Sequence, residues 1–287
     1  EHKDEVRLLK QFLKAFEGYG ADAKVKGFSG YLCELLIIAN KSLDELLKNA
    51  AHDWKKKIVI DLEKSRESYD KFPEPLVVID PVDADRNVAA AVDRTILSKF
   101  IIKAREYLIK PSEEFFFPSK KPMDLKRLVK GRNLLVVSFK YPQDVIEEIV
   151  WSQLEKLTKI IKNQLFEDEF RVYRSAYWTD EKKKCAIALE LMTHELDEFM
   201  IHKGPEVWDE ENSKAFIEKN PGYFVRRSRL FSCKKRDFRK AEDLVRHLLK
   251  KSDLVPSYLQ KKAKKCKIRV NEKTPKEKEV LRKFFGW

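Results

Sequence analysis

The chain has 287 residues, of which 43% are hydrophobic and 37% are charged, and this predicts two globular domains with cores of their own. Lys and Arg number 60 against 47 for Asp and Glu, and the net charge of +13 favours a polyanion such as nucleic acid as the binding partner. The alternative is a basic protein that binds no nucleic acid. The four cysteines form no CxxC pair, which argues against a zinc ribbon or a redox motif. Free cysteines of this kind are typical of a protein in the reducing cytoplasm. No apolar run reaches the ~18 residues that a membrane span needs.

The first part of the chain, residues 1–110, predicts a mostly helical domain with two short strands. Apolar residues at helical spacing predict a helix over 4–16, and Ser29 is the expected N-cap of an apolar helix over 30–39. The further elements predicted here are a helix over 42–49, strands over 57–62 and 76–80, and a helix over 93–109.

A stretch rich in Pro, Ser, Lys and Phe over 110–124 predicts a domain boundary. Beyond it we predict a strand over 133–140, a helix over 143–166, strands over 170–178 and 184–192, a helix over 206–219, a strand over 223–232 and a helix over 237–251. This β-α-β-β-α-β-α order is typical of a ferredoxin-like or RNA-recognition-like unit. We therefore expect an α+β protein with a central domain over 1–110, a body over 111–235 and a basic helical tail over 236–287.

Two residues on and just after the first helix are candidates for binding a triphosphate. Lys10 and Tyr19 lie nine positions apart, and they offer a point charge and a directional hydroxyl. The alternative is a solvated lysine and a packed tyrosine. Arg86 follows a predicted strand, where its planar guanidinium suits a nucleobase. It could instead pair with Asp83 or Asp85.

Asp83 and Asp85 form a DxD pair, the kind of motif that binds two magnesium ions in nucleotidyltransferases. Pro81 precedes the pair and no Gly-Ser motif lies upstream, so we reject that role. The pair is instead expected to cap a helix that starts near Arg86. The sequence thus offers no catalytic residue and no metal ligand.

Basic clusters interleaved with aromatic residues mark the second half of the chain. Phe224 and Phe231 lie among the basic residues Arg226, Arg227, Arg229, Lys234, Lys235, Arg236 and Arg239. A further cluster comprises Lys261, Lys262, Lys264, Lys265, Lys267 and Arg269. Such a combination suits phosphate contacts with some base stacking, whereas the alternative is an ordinary solvated surface.

Five stretches of the chain resemble archaeal-type (class I) CCA-adding enzymes, the tRNA nucleotidyltransferases. They are EVRLLKQFLKA (5–15), KGFSGYLCELLI (26–37), VIDPVDADRNVAA (78–90), FFFPSKKP (115–122) and HKGPEVWDEENSKAFIEKN (202–220). The GFSGYLCELL and PVD-xx-RNVAA stretches, in this order and spacing, are highly specific, and the resemblance runs from near residue 5 to about residue 243.

The resemblance implies a role for each candidate nucleotide-binding residue. Enzymes of this family add C, C and A to the 3′ end of tRNA without a nucleic-acid template, and their central domain resembles that of poly(A) polymerases. In them a Lys and a Tyr nine residues later contact the triphosphate, a spacing that Lys10 and Tyr19 match. An Arg in the PVD-xx-RN stretch helps read the incoming base, and Arg86 matches it. Body and tail regions hold the acceptor stem and elbow of the tRNA.

In this family a polymerase-type head with metal-binding carboxylates precedes the central domain, and this chain begins almost at that domain. We therefore expect a cytoplasmic neck-body-tail part of a CCA-adding enzyme, inactive alone, whose Mg²⁺ belongs to a head that is another chain or is simply missing. The implied substrates are ATP and CTP, and the implied partners are tRNA and the head, without a membrane. A homo-oligomer stays open. The alternative is a non-catalytic tRNA-binding protein; a scaffold without an RNA role fits the charge poorly.

Overall fold

The computed structural model describes residues 2–64, 68–119, 123–272 and 277–286. The chain forms two compact units, and the boundary between them in the sequence falls between residues 122 and 123. This division falls inside the predicted boundary stretch 110–124, of which residues 120–122 lie outside the described part. Within the described ranges, no helix combines the length and the apolar character needed to cross a bilayer.

The first unit contains all six predicted elements. They are α1 (Lys3–Ala15), α2 (Gly30–Asn40), α3 (Leu43–His52), β1 (Ile58–Ile60), β2 (Leu76–Val78) and α4 (Arg94–Ile109). Ser29 Oγ accepts a hydrogen bond from the Leu32 amide at 3.0 Å, which confirms the predicted N-cap of α2. The two short strands pair in parallel. A mostly helical domain results, as the sequence predicted.

An aromatic cluster around Phe12 forms the centre of this unit. Its fully buried ring lies between 5.6 and 6.3 Å from five other rings, those of Phe16, Phe100, Tyr107, Phe115 and Phe116. These rings come from α1, from α4 and from the turn that follows it, so one side chain joins both ends of the unit. Cys33 of α2 is also fully buried, and burial raises the pKa of its thiol to about 12.

The second unit consists of six helices, seven strands and their connections within the residues that are described. They are α5 (Leu125–Val129), β3 (Asn133–Lys140), α6 (Glu147–Glu167), β4 (Val172–Thr179), β5 (Lys184–Leu191), β6 (Phe199–Glu206), α7 (Glu210–Lys219), β7 (Phe224–Arg226), β8 (Arg229–Lys235), α8 (Ala241–Leu248), α9 (Gln260–Ala263), β9 (Lys267–Val270) and α10 (Lys278–Phe285). Four strands form an antiparallel sheet in the order β4-β5-β3-β9. Helices α6 and α8 pack on one face of it, which gives the β-α-β-β-α-β arrangement of a ferredoxin-like fold.

The predicted fold class is thus confirmed, but the second half of the ferredoxin-like unit uses other residues than predicted. The predicted strand over 223–232 falls in a separate three-stranded sheet in the order β6-β8-β7, and the predicted helix over 206–219 packs against that sheet as α7. The predicted single strand over 223–232 is a hairpin, because Arg227 turns the chain with φ = 55°. The helix and strand that complete the ferredoxin-like sheet are α8 and β9.

Strand β9 was missed because it is only four residues long and its sequence, KIRV, lies among lysines. It forms an edge of the sheet by pairing with β3, with Leu135 opposite Val270. The stretch 236–286 is therefore not a purely helical tail, since it supplies both a helix and an edge strand to the body sheet. Sequence patterns alone do not reveal such pairing, because its partner lies more than a hundred residues away.

The second face of the four-stranded sheet is covered by α10, together with α5. The apolar contacts involve Leu134, Val136, Ala186 and Ala188 of the sheet and Val280, Leu281, Phe284 and Phe285 of the helix. Glu277, at the start of α10 and only 6% exposed, accepts a hydrogen bond from Ser138 Oγ at 2.9 Å and pairs with Lys184 and Arg269. Apolar contacts and a buried carboxylate thus both attach the helix to the sheet.

Replacing Phe284 with Ala is expected to lower the free energy of unfolding by about 3 kcal/mol, because it removes a buried aromatic ring from the α10 interface. The Arg174 guanidinium also lies 4.3 Å from the centre of this ring. Urea unfolding followed by circular dichroism measures the change. Phe166→Ala, at a ring that is 74% exposed, is the matched control and should change stability little. Equal losses in both variants would contradict the packing role assigned to α10.

Candidate nucleotide site and nucleic-acid interface

The connection between α1 and α2 folds back on itself and places Tyr19. The Phe28 amide donates to the Gly18 carbonyl at 2.8 Å, and the Gly20 amide donates to the Phe28 carbonyl at 2.9 Å. The two backbone segments approach so closely that a Cβ at Gly27 would lie 2.1 Å from the Gly18 oxygen. Only glycine fits there, so position 27 is needed for the backbone that carries Tyr19.

Lys10 and Tyr19 meet at the first residue of α2. A Cβ built at Gly30 would lie 3.4 Å from Tyr19 Oη and 3.6 Å from Lys10 Nζ. Lys10 also pairs with Glu34 at 3.3 Å. The start of a helix favours anions, because its first amides lack intrahelical partners and its dipole is positive there. An ammonium, a hydroxyl and a helix N-terminus therefore converge on one small region, which suits a phosphate group.

Arg86 is held in the same neighbourhood by Asp80, which is 4% exposed. One Asp80 oxygen accepts hydrogen bonds from Tyr31 Oη and from the Val82 amide, both at 3.0 Å. The other accepts from Arg86 at 3.2 Å. The bonds from Val82, Tyr31 and Arg86 lower the pKa of Asp80, and donation to this carboxylate raises the pKa of Tyr31. Through Asp80, Arg86 is thus linked to Tyr31, the residue that follows Gly30 in the chain.

The alternative partners predicted for Arg86 were wrong. Asp83 accepts a hydrogen bond from the Asp85 amide at 2.9 Å, and Asp85 itself pairs with Lys71. The two aspartates also do not cap a helix near Arg86, because residues 80–92 form a series of turns. The next helix is α4, and its N-cap is Asp93, whose side chain accepts from the Thr95 amide at 2.7 Å. No group of three or more His, Cys, Asp or Glu side chains that could hold a metal ion occurs among the residues described.

The three-stranded sheet of the second unit has one covered and one open face. Helix α7 covers the first face, where the Phe216 ring stacks on His202 at 5.4 Å. On the open face Phe224 and Phe231 stack with ring centroids 5.7 Å apart and an interplanar angle of 20°. Lys203 lies opposite Phe231 in the register. The open face thus presents a stacked aromatic pair beside a cation.

Strand β6 adds two apolar residues to this face that the sequence analysis missed. Phe199 and Ile201 are 56% and 52% exposed, and they alternate along the strand with residues of the covered face. Gly204 and Pro205 concealed the strand, because this dipeptide usually interrupts secondary structure. The alternation of FMIHK over 199–203 was the signal that could have revealed it.

The seven basic residues predicted to bind RNA fall into two groups. Arg226, Arg227 and Lys234 are exposed and make no ion pair with any residue that the structure describes. The other four have acidic partners: Arg229 with Glu206 at 2.7 Å, Lys235 with Glu198 at 2.8 Å, Arg236 with Glu169, and Arg239 with Glu195 at 3.3 Å. The Arg236 side chain is only 10% exposed, which favours a structural role for it.

RNA-recognition modules bind bases on the open face of their four-stranded sheet. In this chain α10 covers the corresponding face, so the four-stranded sheet offers no such platform. The three-stranded sheet, with its aromatic pair and the neighbouring Arg226 and Arg227, is the surface with the chemistry for single-stranded or splayed bases.

Both units match known protein families. Residues 4–117 match the family described as the second domain of tRNA nucleotidyltransferases, and residues 130–262 match the C-terminal domain of CCA-adding enzymes. Among curated relatives, the CCA-adding enzyme of Methanococcus maripaludis (strain S2) is 37% identical over 269 residues, which cover 89% of this chain and 60% of the relative. That of Methanoregula boonei is 42% identical over 253 residues, 84% of this chain and 54% of the relative. That of Saccharolobus islandicus is 38% identical over 277 residues, 95% of this chain and 65% of the relative.

The two family matches, one over the helical domain and one over the ferredoxin-like domain, place the chain among the tRNA nucleotidyltransferases. Within that class, the chain belongs to the family of archaeal-type CCA-adding enzymes. It spans about three fifths of the length of the curated relatives it matches.

Proposed function

We propose that the chain is the nucleotide- and tRNA-binding part of a CCA-adding nucleotidyltransferase, which completes tRNA 3′ ends in the cytoplasm from CTP and ATP. The observation that carries this proposal is the convergence of Lys10 and Tyr19 on Gly30 at the start of α2. A triphosphate seated there would receive the Lys10 charge and the Tyr19 hydroxyl bond. Arg86, held by Asp80, would then face the base.

Phosphoryl transfer in this class uses carboxylates that hold two magnesium ions. A magnesium pair does not fit the described residues, because Asp83 is bound to the Asp85 amide and Asp85 is paired with Lys71. We therefore assign the metal chemistry to a catalytic head, whether a separate subunit or a further part of the same protein. This chain then binds and orients the nucleotide and is inactive without the head.

On the RNA side, the open face of the three-stranded sheet is proposed to bind tRNA. Phe224 and Phe231 supply aromatic surface for stacking, while Arg226 and Arg227 carry charges for backbone phosphates. Lys234 lies opposite Met200 on the other face of the sheet and adds to the positive charge around it. Arg229, Lys235 and Arg239 border this face with charges that acidic neighbours partly neutralise.

A reconstitution assay tests the proposal. The substrate is tRNA lacking its 3′ CCA, and the proteins are this chain alone, a catalytic head from the Methanococcus maripaludis relative alone, and both together. Addition of CCA is expected only from the mixture. Lys10→Ala should weaken use of CTP and ATP alike, because it removes a phosphate contact, whereas Arg86→Ala should change the choice of base.

The second candidate function is a non-catalytic tRNA-binding protein, and it is favoured by the open aromatic and cationic face, which needs no head to bind RNA. It predicts tRNA affinity without stimulation of any head. An inactive mixture in which the chain is folded and tRNA is bound would therefore support this second function and contradict the first.

A further inference from the structure

The carboxylate of Asp80 connects two exposed side chains beside the candidate nucleotide site. Its Oδ1 accepts from Tyr31 Oη at 3.0 Å and its Oδ2 accepts from an Arg86 terminal nitrogen at 3.2 Å. Asp80 is 4% exposed, whereas Tyr31 is 38% exposed and the Arg86 side chain 62%. A buried anion thus holds two solvent-facing groups through separate oxygens.

Orientation of the loop alone does not require this arrangement. The Val82 amide already fixes the Asp80 side chain at 3.0 Å, and Asn87 holds the far end of the loop through the amides of Val78 and Ala89, both at 2.9 Å. The bonds to Tyr31 and Arg86 reach outward from this fixed loop. They restrict side chains that would otherwise move freely in solvent, and such restriction is the usual way to prepare a binding group.

We infer that Asp80 and Tyr31 are positioning residues that set base selectivity by fixing the guanidinium of Arg86. The inference rests on the proposed function of this site. Arg86 has five N–H donors and no acceptor, so the donors that Asp80 leaves unused can bind only acceptor atoms on a base. Cytosine N3 and adenine N1 are acceptors at the pairing edge, whereas uracil N3 and guanine N1 carry hydrogens. A guanidinium held toward this ring nitrogen therefore disfavours UTP and GTP, whereas a mobile one can turn to other acceptors, such as O4 of uracil or O6 of guanine, and discriminates less.

Tyr31 acts in this arrangement by holding the first oxygen of Asp80, which leaves the second oxygen directed at Arg86. Loss of the Tyr31 hydroxyl leaves that oxygen with the Val82 amide alone, so the carboxylate is held less firmly and the guanidinium bound to its second oxygen becomes more mobile. Asp80→Asn removes the charge that holds Arg86 but keeps an oxygen for the Val82 amide. The two substitutions thus disturb Arg86 in different ways and leave its own side chain intact.

The test uses this chain mixed with the catalytic head and the tRNA substrate described above, and it compares kcat/KM for CTP, ATP, UTP and GTP. Tyr31→Phe and Asp80→Asn are expected to reduce the preference for CTP over UTP by about tenfold, with melting temperatures close to that of the wild type. Tyr69→Phe is the matched control, since its hydroxyl donates to a different aspartate, Asp61, at 3.1 Å, and its selectivity should not change. Combined with Arg86→Ala, the Tyr31→Phe substitution should have no further effect on selectivity.

Each outcome of this experiment either supports or contradicts the positioning role of Asp80 and Tyr31. Reduced selectivity in Tyr31→Phe that vanishes in the Arg86→Ala background supports it, and Tyr31→Phe remains informative if Asp80→Asn fails to fold. Unchanged selectivity in an active mixture, or effects of Tyr31 and Arg86 that simply add, would overturn the positioning role while leaving the proposed function in place. A wild-type mixture without any CCA addition would overturn both.

Discussion

Gly27→Ala is expected to lower the free energy of unfolding of the first unit by about 3 kcal/mol and to reduce CCA addition by the reconstituted mixture roughly 100-fold. The added methyl group would lie 2.1 Å from the Gly18 carbonyl oxygen, and a backbone oxygen cannot give way as a flexible side chain can. The segments 18–20 and 27–28 must then separate, which moves Tyr19 away from Lys10 and Gly30. Urea unfolding and the addition assay together measure the two effects.

A matched glycine provides the control for this prediction. Apart from its own neighbours in the chain, a Cβ at Gly222 would have no described heavy atom within 4 Å, so Gly222→Ala should leave stability and activity nearly unchanged. If Gly27→Ala were as stable as Gly222→Ala, the close approach of the two backbone segments would be refuted. If it were unstable but as active as the wild type, the placement of Tyr19 by this turn would be refuted.

Removing the aromatic and cationic groups of the three-stranded sheet is the second change with a large expected effect. The triple variant Phe224→Ala, Arg226→Ala, Arg227→Ala is expected to bind tRNA roughly 100-fold more weakly, because one stacked base accounts for about 1–3 kcal/mol and each lost phosphate contact adds to it. The slope of log affinity against log salt concentration should fall by about 2, one unit for each arginine. Fluorescence anisotropy with labelled tRNA at several salt concentrations gives both quantities.

The control must remove similar groups elsewhere in the same unit. Phe166, Lys250 and Lys251 are all exposed, so their joint replacement by Ala removes one aromatic ring and two charges that do not belong to the three-stranded sheet. This variant should retain most of its affinity. Similar losses in both triple variants would show that the net charge of the chain, rather than this particular face, governs binding.

Local patterns predicted the first unit well because its elements are defined by residues close together in sequence. The stripe of apolar residues in α1, the Ser29 cap and the polar interruptions between helices all act within a few positions. In the sequence, Lys10 and Tyr19 could be linked only by their separation of nine positions. Their meeting at Gly30 depends on the close approach at Gly27, a distance that no pattern of residue types encodes.

The second unit was predicted less completely because its sheets join distant segments. The elements β3, α6, β4 and β5 follow one another directly and were all predicted, whereas β6 and β9 depend on partners supplied later or much earlier in the chain. The partner of Arg86 was mistaken for a similar reason. Asp83 and Asp85 are nearer along the chain, but the turns between residues 80 and 86 bring Asp80 back to the arginine.

The pairing of β9 with β3 has a consequence for synthesis of the protein. All contacts of the aromatic cluster around Phe12 join residues that precede position 120, so the first unit can fold as soon as that part has left the ribosome. Strand β3, an interior strand of the four-stranded sheet, begins at Asn133, yet its edge partner β9 ends at Val270. For the time needed to translate the intervening segment, β3 therefore has an unpaired edge, which is when chaperones would be most needed and when association with other nascent chains is most dangerous.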